Sequence, residues 1–326
     1  MSYPAVKVLS SGPISAKIMI VGEAPGSDEV AAKLPFVGSS GKLLTAMLAD
    51  SGIDRSQCFI TNVCKYQPPN NDLSEWFSTK TQAKTMNIAP INGRYPNVLI
   101  AEGVGELHDE ICRVDPNLII ALGDTALWAL TGKTGIVKWR GSTIPTNNIR
   151  AVHPVKVIPT YHPAAILRNW SWKTIALHDL AKCKREAEFP EINTPNYHFI
   201  IRPCFEDVIK TLSFLKEKLD KSILPLSVDL ETRAGHIACT GIAWSKTEAI
   251  CIPLMCTEDR NGYWKSLDVE FEVVRRIIEV IRHPHARIVG QNFLYDSQYI
   301  SLYWGRTCNV VMDTMISHHV CWPGTP

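Results

Sequence analysis

Residues 17–26 read KIMIVGEAPG, and this stretch decides the fold of the first half of the chain. A continuous apolar run ends at Gly22, and a loop that contains Glu23, Pro25 and Gly26 follows at once. Short apolar runs that are rich in β-branched residues and bounded by turn formers are typical of strands buried on both faces of a sheet. The stretch therefore predicts a buried parallel strand with a functional loop at its carboxyl end.

Three further runs of the same kind follow, at residues 58–64 (CFITNVC), 117–123 (NLIIALG) and 155–162 (VKVIPTYH). Residues 41–51 and 125–130 show the apolar spacing of helices that pack on a core. Together these patterns predict an α/β domain, a parallel sheet with helices on both sides in three α/β/α layers. Residues 70–105 show few periodic apolar positions and are interpreted as an irregular insertion.

A polar stretch with Pro190, Pro195 and Pro203 interrupts this pattern, and we place a boundary there, giving domains at 1–190 and 191–326. The second half predicts helices at 205–220 and 269–282. It predicts strands at 226–230, 236–244, 249–253 and 287–290. The second domain is therefore a further α/β unit.

The composition limits the classes of function. The 326 residues include 34 Lys and Arg against 32 Asp and Glu, so charge alone does not predict nucleic-acid binding. No apolar stretch approaches the roughly 18 residues of a membrane span, and we expect a cytoplasmic protein without a membrane partner. None of the 10 cysteines forms a Cys-x-x-Cys pair, which favours free thiols.

Four loops follow predicted strands and should meet at one edge of the sheet. They are Gly22 to Gly26 with Glu29, residues 35–41 (PFVGSSG), residues 61–69 with Asn62 and Lys65, and residues 162–168 (HPAAILR). The first loop could also be a phosphate-binding turn. The P-loop lysine and the three-glycine dinucleotide pattern are both missing, however, which leaves that hypothesis weak.

The motifs GEAPG, PFVGSSGKLL, ITNVCK followed by PP, and HPAAILR occur in this order over residues 15–185. In order and spacing they resemble the uracil-DNA glycosylase superfamily, most closely its family 4. The resemblance implies N-glycosidic bond hydrolysis on a base flipped out of DNA, without a cofactor for that reaction.

The resemblance also implies roles for single residues. Glu23 would position water or stabilise the sugar cation, Asn62 would read the O4 and N3–H edge of uracil, and His162 would donate to O2. Phe36 would stack on the base, with Ala24 and Glu29 also at the base site. The implied DNA contacts are Arg168, Leu167, Ile166 and Lys65.

The sequence departs from family 4 at the iron–sulfur cluster. Family members hold it with four cysteines, but here no cysteine precedes Cys58, and Tyr66 stands where the third ligand is expected. We therefore expect no cluster. Residues 70–73 (NNDL) also replace the family's basic loop, which leaves the affinity for DNA open.

A second set of candidate residues lies in the second half. Asp229 and Glu231 share one face of a predicted strand, and Asp296 follows the strand at 287–290. VDLET together with VGQNFLYD resembles the proofreading 3'-5' exonuclease domain of family A DNA polymerases, which has an RNase H-like fold. The resemblance implies that the three carboxylates bind Mg²⁺ or Mn²⁺. The family's last metal carboxylate is not reached, so we expect an incomplete exonuclease domain with a downstream polymerase portion of the same polypeptide as partner.

These patterns lead to two hypotheses about function. The first is a DNA-processing enzyme, the amino-terminal part of a DNA polymerase like those of some bacteriophages, acting in the cytoplasm of the host cell. It would combine a uracil-DNA glycosylase-like domain with a partial exonuclease. The second is a module that binds uracil-containing or single-stranded DNA without cutting it. Glu23, Asn62 and His162 favour the first, and the lost cluster favours the second.

Overall fold

The structure is a computed structural model that describes residues 6–147, 153–193, 195–258 and 262–323. The chain divides into two compact units, Met1–Asn193 and Thr194–Pro326, where the sequence places the boundary after residue 190. Within the described residues, no helix combines the length and the apolar character needed to cross a membrane.

The elements of the first unit alternate between strands and helices along the chain. The strands are β1 (Ile18–Gly22), β2 (Cys58–Asn62), β3 (Phe77–Ser78), β4 (Tyr95–Pro96), β5 (Leu118–Leu122), β6 (Ile144–Pro145) and β7 (Lys156–Thr160). The helices are α1 (Ser27–Ala32), α2 (Ser39–Asp50), α3 (Lys80–Met86), α4 (Val98–Val114), α5 (Asp124–Thr131), α6 (Ile136–Trp139), α7 (Pro163–Arg168) and α8 (Trp172–Glu186).

The main sheet of this unit has the strand order β2-β1-β5-β7-β6 in its described part. Its first four strands are parallel, and β6 pairs antiparallel with β7. Alternate residues of β1 point to opposite sides: Ile20 packs with α2 and α8, whereas Met19 and Val21 pack with α4 and α5. The predicted three-layer α/β/α fold with its four parallel strands is confirmed.

Helix α4 corrects the interpretation of residues 70–105 as irregular. Its buried face includes Ile100, Val104, Leu107 and Ile111. Gly103 interrupts the apolar pattern that would have predicted the helix. A side chain there would meet the backbone oxygen of Val63 at 2.3 Å, so glycine is needed where the helix crosses the chain that follows β2. At Gly103 the need for close packing outweighs the low helix propensity of glycine.

The second unit contains a mixed sheet. Its strands are β8 (His198–Ile201), β9 (Leu224–Arg233), β10 (His236–Ala243), β11 (Glu248–Pro253), β12 (Ala286–Gly290) and β13 (Val310–Asp313). Its helices are α9 (Phe205–Lys221), α10 (Leu267–Ile281), α11 (Leu294–Trp304) and α12 (Thr314–Cys321). The described strands have the order β13-β12-β9-β10-β11-β8.

In this sheet β9, β10 and β11 are antiparallel, and β12 and β13 continue parallel to β9. Leu212, Leu215, Val273 and Ile277 of α9 and α10 contribute to the core beneath it. Strands β9, β10 and β11 are antiparallel, and β12 and β13 lie on the other side of β9 and run parallel to it. This order agrees with the expected RNase H-like α/β fold.

A buried ion pair fixes the region around the end of β7. The carboxylate of Asp179 on α8 accepts from Arg140 Nε at 3.0 Å and Nη2 at 2.5 Å, and from Thr160 Oγ1 at 2.8 Å. Two parallel hydrogen bonds from a guanidinium are strong and directional. The pair therefore holds α8, β7 and the chain after α6 in one arrangement.

Candidate functional site

The predicted loops meet at one cleft in the first unit. The carboxyl ends of β1, β2, β5 and β7 open into a cavity of about 530 Å³. Seven of the residues singled out in the sequence line it: Glu23, Ala24, Glu29, Phe36, Asn62, His162 and Arg168. The lining also includes Asp124, Tyr161 and Trp172, which the sequence motifs did not identify.

Gly22 lies where the side chains of Asn62 and Phe36 come close together. It is paired in register with Asn62 of the neighbouring strand. A Cβ atom at Gly22 would lie 2.4 Å from Asn62 Oδ1 and 2.4 Å from Phe36 Cζ. Both distances are far inside van der Waals contact, so any side chain at position 22 would displace the amide or the ring. Glycine is required here for space.

The backbone of Phe36 is held in an unusual conformation. Its φ angle is 56°, in the left-handed region that costs a bulky residue free energy. Arg55 offsets this cost by donating to the carbonyl oxygens of Pro35 at 3.2 Å and Phe36 at 2.9 Å, and to Thr45 Oγ1 at 3.0 Å. Arg55 is thus a positioning residue that no motif in the sequence indicated.

Asn62 is the residue of the cleft with an unmet hydrogen-bonding group. The side chain is only 4% exposed, and its Oδ1 finds no hydrogen-bond partner among the residues that the structure describes. A buried acceptor without a partner costs roughly 1 to 3 kcal/mol. A ligand with an N–H donor at this position would recover that free energy.

A buried polar network supports the backbone of Asn62 from behind. Lys65 Nζ donates to the Asn62 carbonyl oxygen at 2.9 Å, to Thr61 Oγ1 at 2.5 Å and to Glu110 Oε2 at 2.8 Å. Thr61 Oγ1 in turn donates to Glu110 Oε2 at 2.8 Å. Burial lowers the pKa of Lys65, and the charge of Glu110 opposes this effect.

The prediction that Lys65 contacts DNA is therefore wrong. Lys65 is 2% exposed, and its ammonium group is surrounded by protein acceptors. The sequence places a basic residue next to the site but does not show which way its side chain points. An ion pair with Glu110, 45 positions away in sequence, turns the lysine inward.

His162 has a fixed tautomer. It is the N-cap of α7, and its Nδ1 accepts from the backbone N–H of Ala164 at 3.1 Å. A neutral ring that accepts at Nδ1 carries its proton on Nε2. Desolvation by burial, and secondarily the positive charge of Arg168, lower the pKa of His162 to about 4. At neutral pH the ring is an uncharged donor.

The two glutamates of the cleft have different partners. Glu23 Oε2 accepts from Thr125 Oγ1 on α5, a residue that sequence reasoning missed. Glu29 is buried and accepts from the backbone N–H groups of Gly26, Val37 and Gly38 at 3.1, 3.1 and 2.9 Å. Glu29 therefore ties the first two loops together, whereas Glu23 is held through Oε2 and lines the cleft.

Of the three residues of α7 that the sequence predicts to contact DNA, two are accessible and one is not. Arg168 lines the cleft, and Leu167 is half exposed. Ile166 is completely buried in the core with α2 and α8, so its predicted DNA contact is wrong. A helical turn cannot direct three consecutive side chains to one surface.

The thiols near the expected cluster site do not fit an iron–sulfur cluster. Cys58 and Cys64 are buried, and burial raises the pKa of Cys58 to about 12 and that of Cys64 to about 11. Cluster ligands are thiolates. In the part of the chain that the structure describes, no three His, Cys, Asp or Glu side chains are arranged to hold a metal ion.

The carboxylates predicted to bind metal in the second unit lie close to one another. Asp229 and Glu231 are exposed on one face of β9, as expected. Asp296 is 4% exposed, and its Oδ1 accepts from the backbone N–H of Leu230 at 2.8 Å. Burial, together with the charges of Asp229 and Glu231, raises the pKa of Asp296. The three carboxylates are near enough to interact, and metal binding at them remains a prediction.

Asp313, at the end of β13, has a structural role. Its carboxylate accepts from the backbone N–H groups of Asn292 at 3.1 Å, Phe293 at 2.8 Å and Met315 at 2.9 Å. Desolvation opposes ionisation, but these amides outweigh it and lower the pKa of Asp313. The residue caps α12 and fixes the loop after β12.

The pKa of His162 gives the first prediction. In an NMR titration of its imidazole signals, we expect a midpoint near pH 4 and a higher midpoint in Arg168→Ala, because that cation lowers the pKa. Since the folded pKa lies below the 6.5 of an ordinary histidine, His162 contributes stability above pH 6.5 that is lost as pH falls toward 4. A midpoint near 6.5 in the wild-type protein would contradict the buried, neutral ring.

Comparison with known proteins places the first unit in a family. Residues 9–189 match the model of the uracil DNA glycosylase superfamily. The chain is 37% identical over 181 residues to a type-4 uracil-DNA glycosylase of Thermotoga maritima, covering 54% of this chain and 81% of that protein. It is 34% identical over 188 residues to that of Sulfurisphaera tokodaii, covering 56% and 75%.

Other similarities extend beyond the first unit. A DNA polymerase of Bacillus phage SP01 is 24% identical over 341 aligned positions, covering 96% of this chain but only 33% of the polymerase. Among solved structures, Escherichia coli RNase D has a TM-score of 0.26 and 14% identity, covering 40% of this chain and 30% of that one. The EXD2 exonuclease domain soaked in Mg and dGMP has a TM-score of 0.27 and 11% identity, covering 37% and 59%. At these TM-scores the two structural likenesses carry no conclusion.

The sequence match therefore agrees with the geometry of the cleft. The matched residues include all four loops that line it, from Glu23 to Arg168. Through residues 9–189 the chain belongs to the uracil DNA glycosylase superfamily.

Proposed function

We propose that the first unit removes uracil from DNA by hydrolysing the N-glycosidic bond. The observation that carries the proposal is the buried, unpartnered Oδ1 of Asn62, next to the ring of Phe36 in a cleft of about 530 Å³. The N3–H group of uracil would donate to Oδ1, and O4 would accept from the amide nitrogen. Cytosine has an acceptor at N3 and a donor at its 4-position, which mismatches the same amide.

Phe36 supports this base site from the side. Its ring centroid lies 5.8 Å from that of His162, so the two rings border one space. Because Arg55 and Glu29 hold the backbone on both sides of Phe36, the ring is in place before a base enters. Stacking on a preorganised ring costs little conformational entropy.

His162 and Glu23 would act on the charges that develop during hydrolysis. As water adds to the sugar C1′ and the bond from C1′ to N1 breaks, the base takes the electron pair and the sugar gains positive character. The neutral His162 ring donates from Nε2 to the base O2, where negative charge grows. Glu23, held by Thr125, supplies negative charge at the sugar and orients the water.

The relatives support DNA as the partner and suggest a larger context. The curated relatives named above are type-4 uracil-DNA glycosylases. The phage relative is a DNA polymerase, and it aligns with both units. We propose that the chain acts as the amino-terminal part of a phage-type DNA polymerase, with a glycosylase domain at 1–190 and an exonuclease-like domain at 191–326.

A second candidate function is recognition of uracil or single-stranded DNA without cleavage. The observation that favours it is the loss of the family's cluster ligands, since no cysteine precedes Cys58 and both Cys58 and Cys64 are buried. A non-catalytic module would need the amide of Asn62 and the ring of Phe36. It would not need the carboxylate of Glu23.

Substitution of the site residues separates the two functions. In a single-turnover excision assay, we expect Asn62→Ala and Glu23→Ala each to lower the rate by about 10²- to 10³-fold, the usual effect of losing a transition-state interaction. Asn62→Asp should shift preference toward cytosine, because a carboxylate can accept from the 4-amino group.

Glu188→Ala is the matched control, since Glu188 is an exposed carboxylate outside the cleft and should leave the rate unchanged. If Glu23→Ala excised uracil as fast as the control, the catalytic assignment would fail. Unchanged binding of uracil DNA by Asn62→Ala would remove the base-recognition role.

The metal content of the protein gives a further prediction. We expect the purified chain to be colourless and free of iron, because the described thiols and carboxylates do not form a ligand set. Visible absorbance together with stoichiometric iron by elemental analysis would show that the cysteines rearrange to bind a cluster. Cys58→Ser and Cys64→Ser would then identify the ligands.

The second unit should degrade single-stranded DNA slowly or not at all in Mg²⁺ or Mn²⁺. Asp296 already uses one carboxylate oxygen to accept from Leu230, and only Asp229 and Glu231 stand beside it to offset the charge of two metal ions. The assay follows release of nucleotides from a 3′-labelled strand. Robust digestion that Asp229→Ala abolishes, and that the exposed control Asp268→Ala does not, would contradict this expectation.

A further inference from the structure

Two tryptophans, Trp139 and Trp170, neighbour residues that line the cleft, and the proposed reaction does not use them. Trp170 follows α7 and is 58% exposed. Trp139, at the end of α6, is half buried. Both are next to lining residues: Ile136 on the same short helix as Trp139, and Arg168 and Trp172 on either side of Trp170.

Each tryptophan is accompanied by cations. Lys133 Nζ and Lys138 Nζ lie 4.3 and 5.3 Å from the ring centroid of Trp139. Lys173 Nζ lies 5.3 Å from that of Trp170. We call Trp139, Trp170 and the cations Lys133, Lys138, Arg168 and Lys173 the rim surface.

Acidic groups near the rim surface are already paired. Asp124, which lines the cleft, accepts from Arg94 at 2.9 Å. Asp50 lies 3.6 Å from Lys173 in an exposed pair, which contributes little attraction. The lysines therefore remain available to a polyanion.

The rings next to the cleft are held rigidly. Trp172 stacks on Tyr161 with ring centroids 4.5 Å apart and an angle of 15° between the planes. The guanidinium of Arg140, fixed by Asp179, lies 5.8 Å from the Tyr161 ring. This stack fixes Trp172, two residues after Trp170. An approaching base would therefore meet a surface that is already ordered.

We propose that the rim surface binds single-stranded DNA next to the extruded nucleotide, with bases stacked on Trp139 and Trp170 and phosphates near the lysines. Exposed aromatic rings interleaved with cations are the features that bind single strands without sequence preference. In a duplex the flanking bases stay stacked on one another and gain less from the tryptophans. The inference rests on the proposed function only for the entry of DNA into this cleft.

The test is binding of a fluorescently labelled oligonucleotide of roughly 15 nucleotides without uracil, measured by anisotropy for the single strand and for its duplex. We expect tighter binding of the single strand. Trp170→Ala should weaken it by about tenfold, within the range of one stacked base, and Trp170→Phe should restore most of the affinity. Lys173→Ala should weaken binding less and reduce its dependence on salt.

Trp322→Ala is the matched control, because Trp322 is also 58% exposed but belongs to the second unit. Equal binding by wild type, Trp170→Ala and Trp139→Ala would overturn the proposal, as would equal losses on single-stranded and duplex DNA. Because the probe contains no uracil, a protein that fails to excise uracil but binds through Trp170 would refute the proposed function and leave this inference standing.

Discussion

No side chain fits at position 22, and the arrangement of the cleft depends on this constraint. The ring of Phe36 and the amide of Asn62 meet above the Cα of Gly22, each within 2.4 Å of where a Cβ would lie. The two side chains come from different loops, and only the missing atom allows them to border one space. Even alanine at this position would separate the stacking surface from the hydrogen-bonding group.

The protein stabilises this arrangement with polar groups that are otherwise satisfied. Glu29 receives three backbone N–H groups, and Lys65 has three acceptors. Arg55 offsets the left-handed backbone of Phe36. Against this background the unpartnered Oδ1 of Asn62 stands out as the position where a ligand completes the network. Such fixed dipoles can act on a developing charge without reorganising first.

The sequence predicts the parts of the fold and site that depend on local pattern. The four parallel strands, the α/β/α layers and the loops with Glu23, Phe36, Asn62 and His162 follow from apolar runs and motif order. Contacts between residues distant in sequence could not be predicted. Thr125 reaches Glu23 across 102 positions.

The wrong predictions have the same origin. The direction of Lys65 depends on Glu110, and the burial of Ile166 depends on its packing in the core with α2 and α8. Helix α4 was missed because Gly103, which breaks its pattern, is required by a close approach to Val63. In each case a contact between distant segments outweighed the local signal.

The central claim is that a site built on Asn62, Phe36 and His162 excises uracil. The measurement that tests it most directly is the formation of abasic sites by the wild-type chain on oligonucleotides that differ only in one base, uracil, thymine or cytosine. The account predicts strand scission after alkaline treatment at uracil alone, without added metal. A folded protein that leaves uracil intact in both single-stranded and duplex DNA would contradict it.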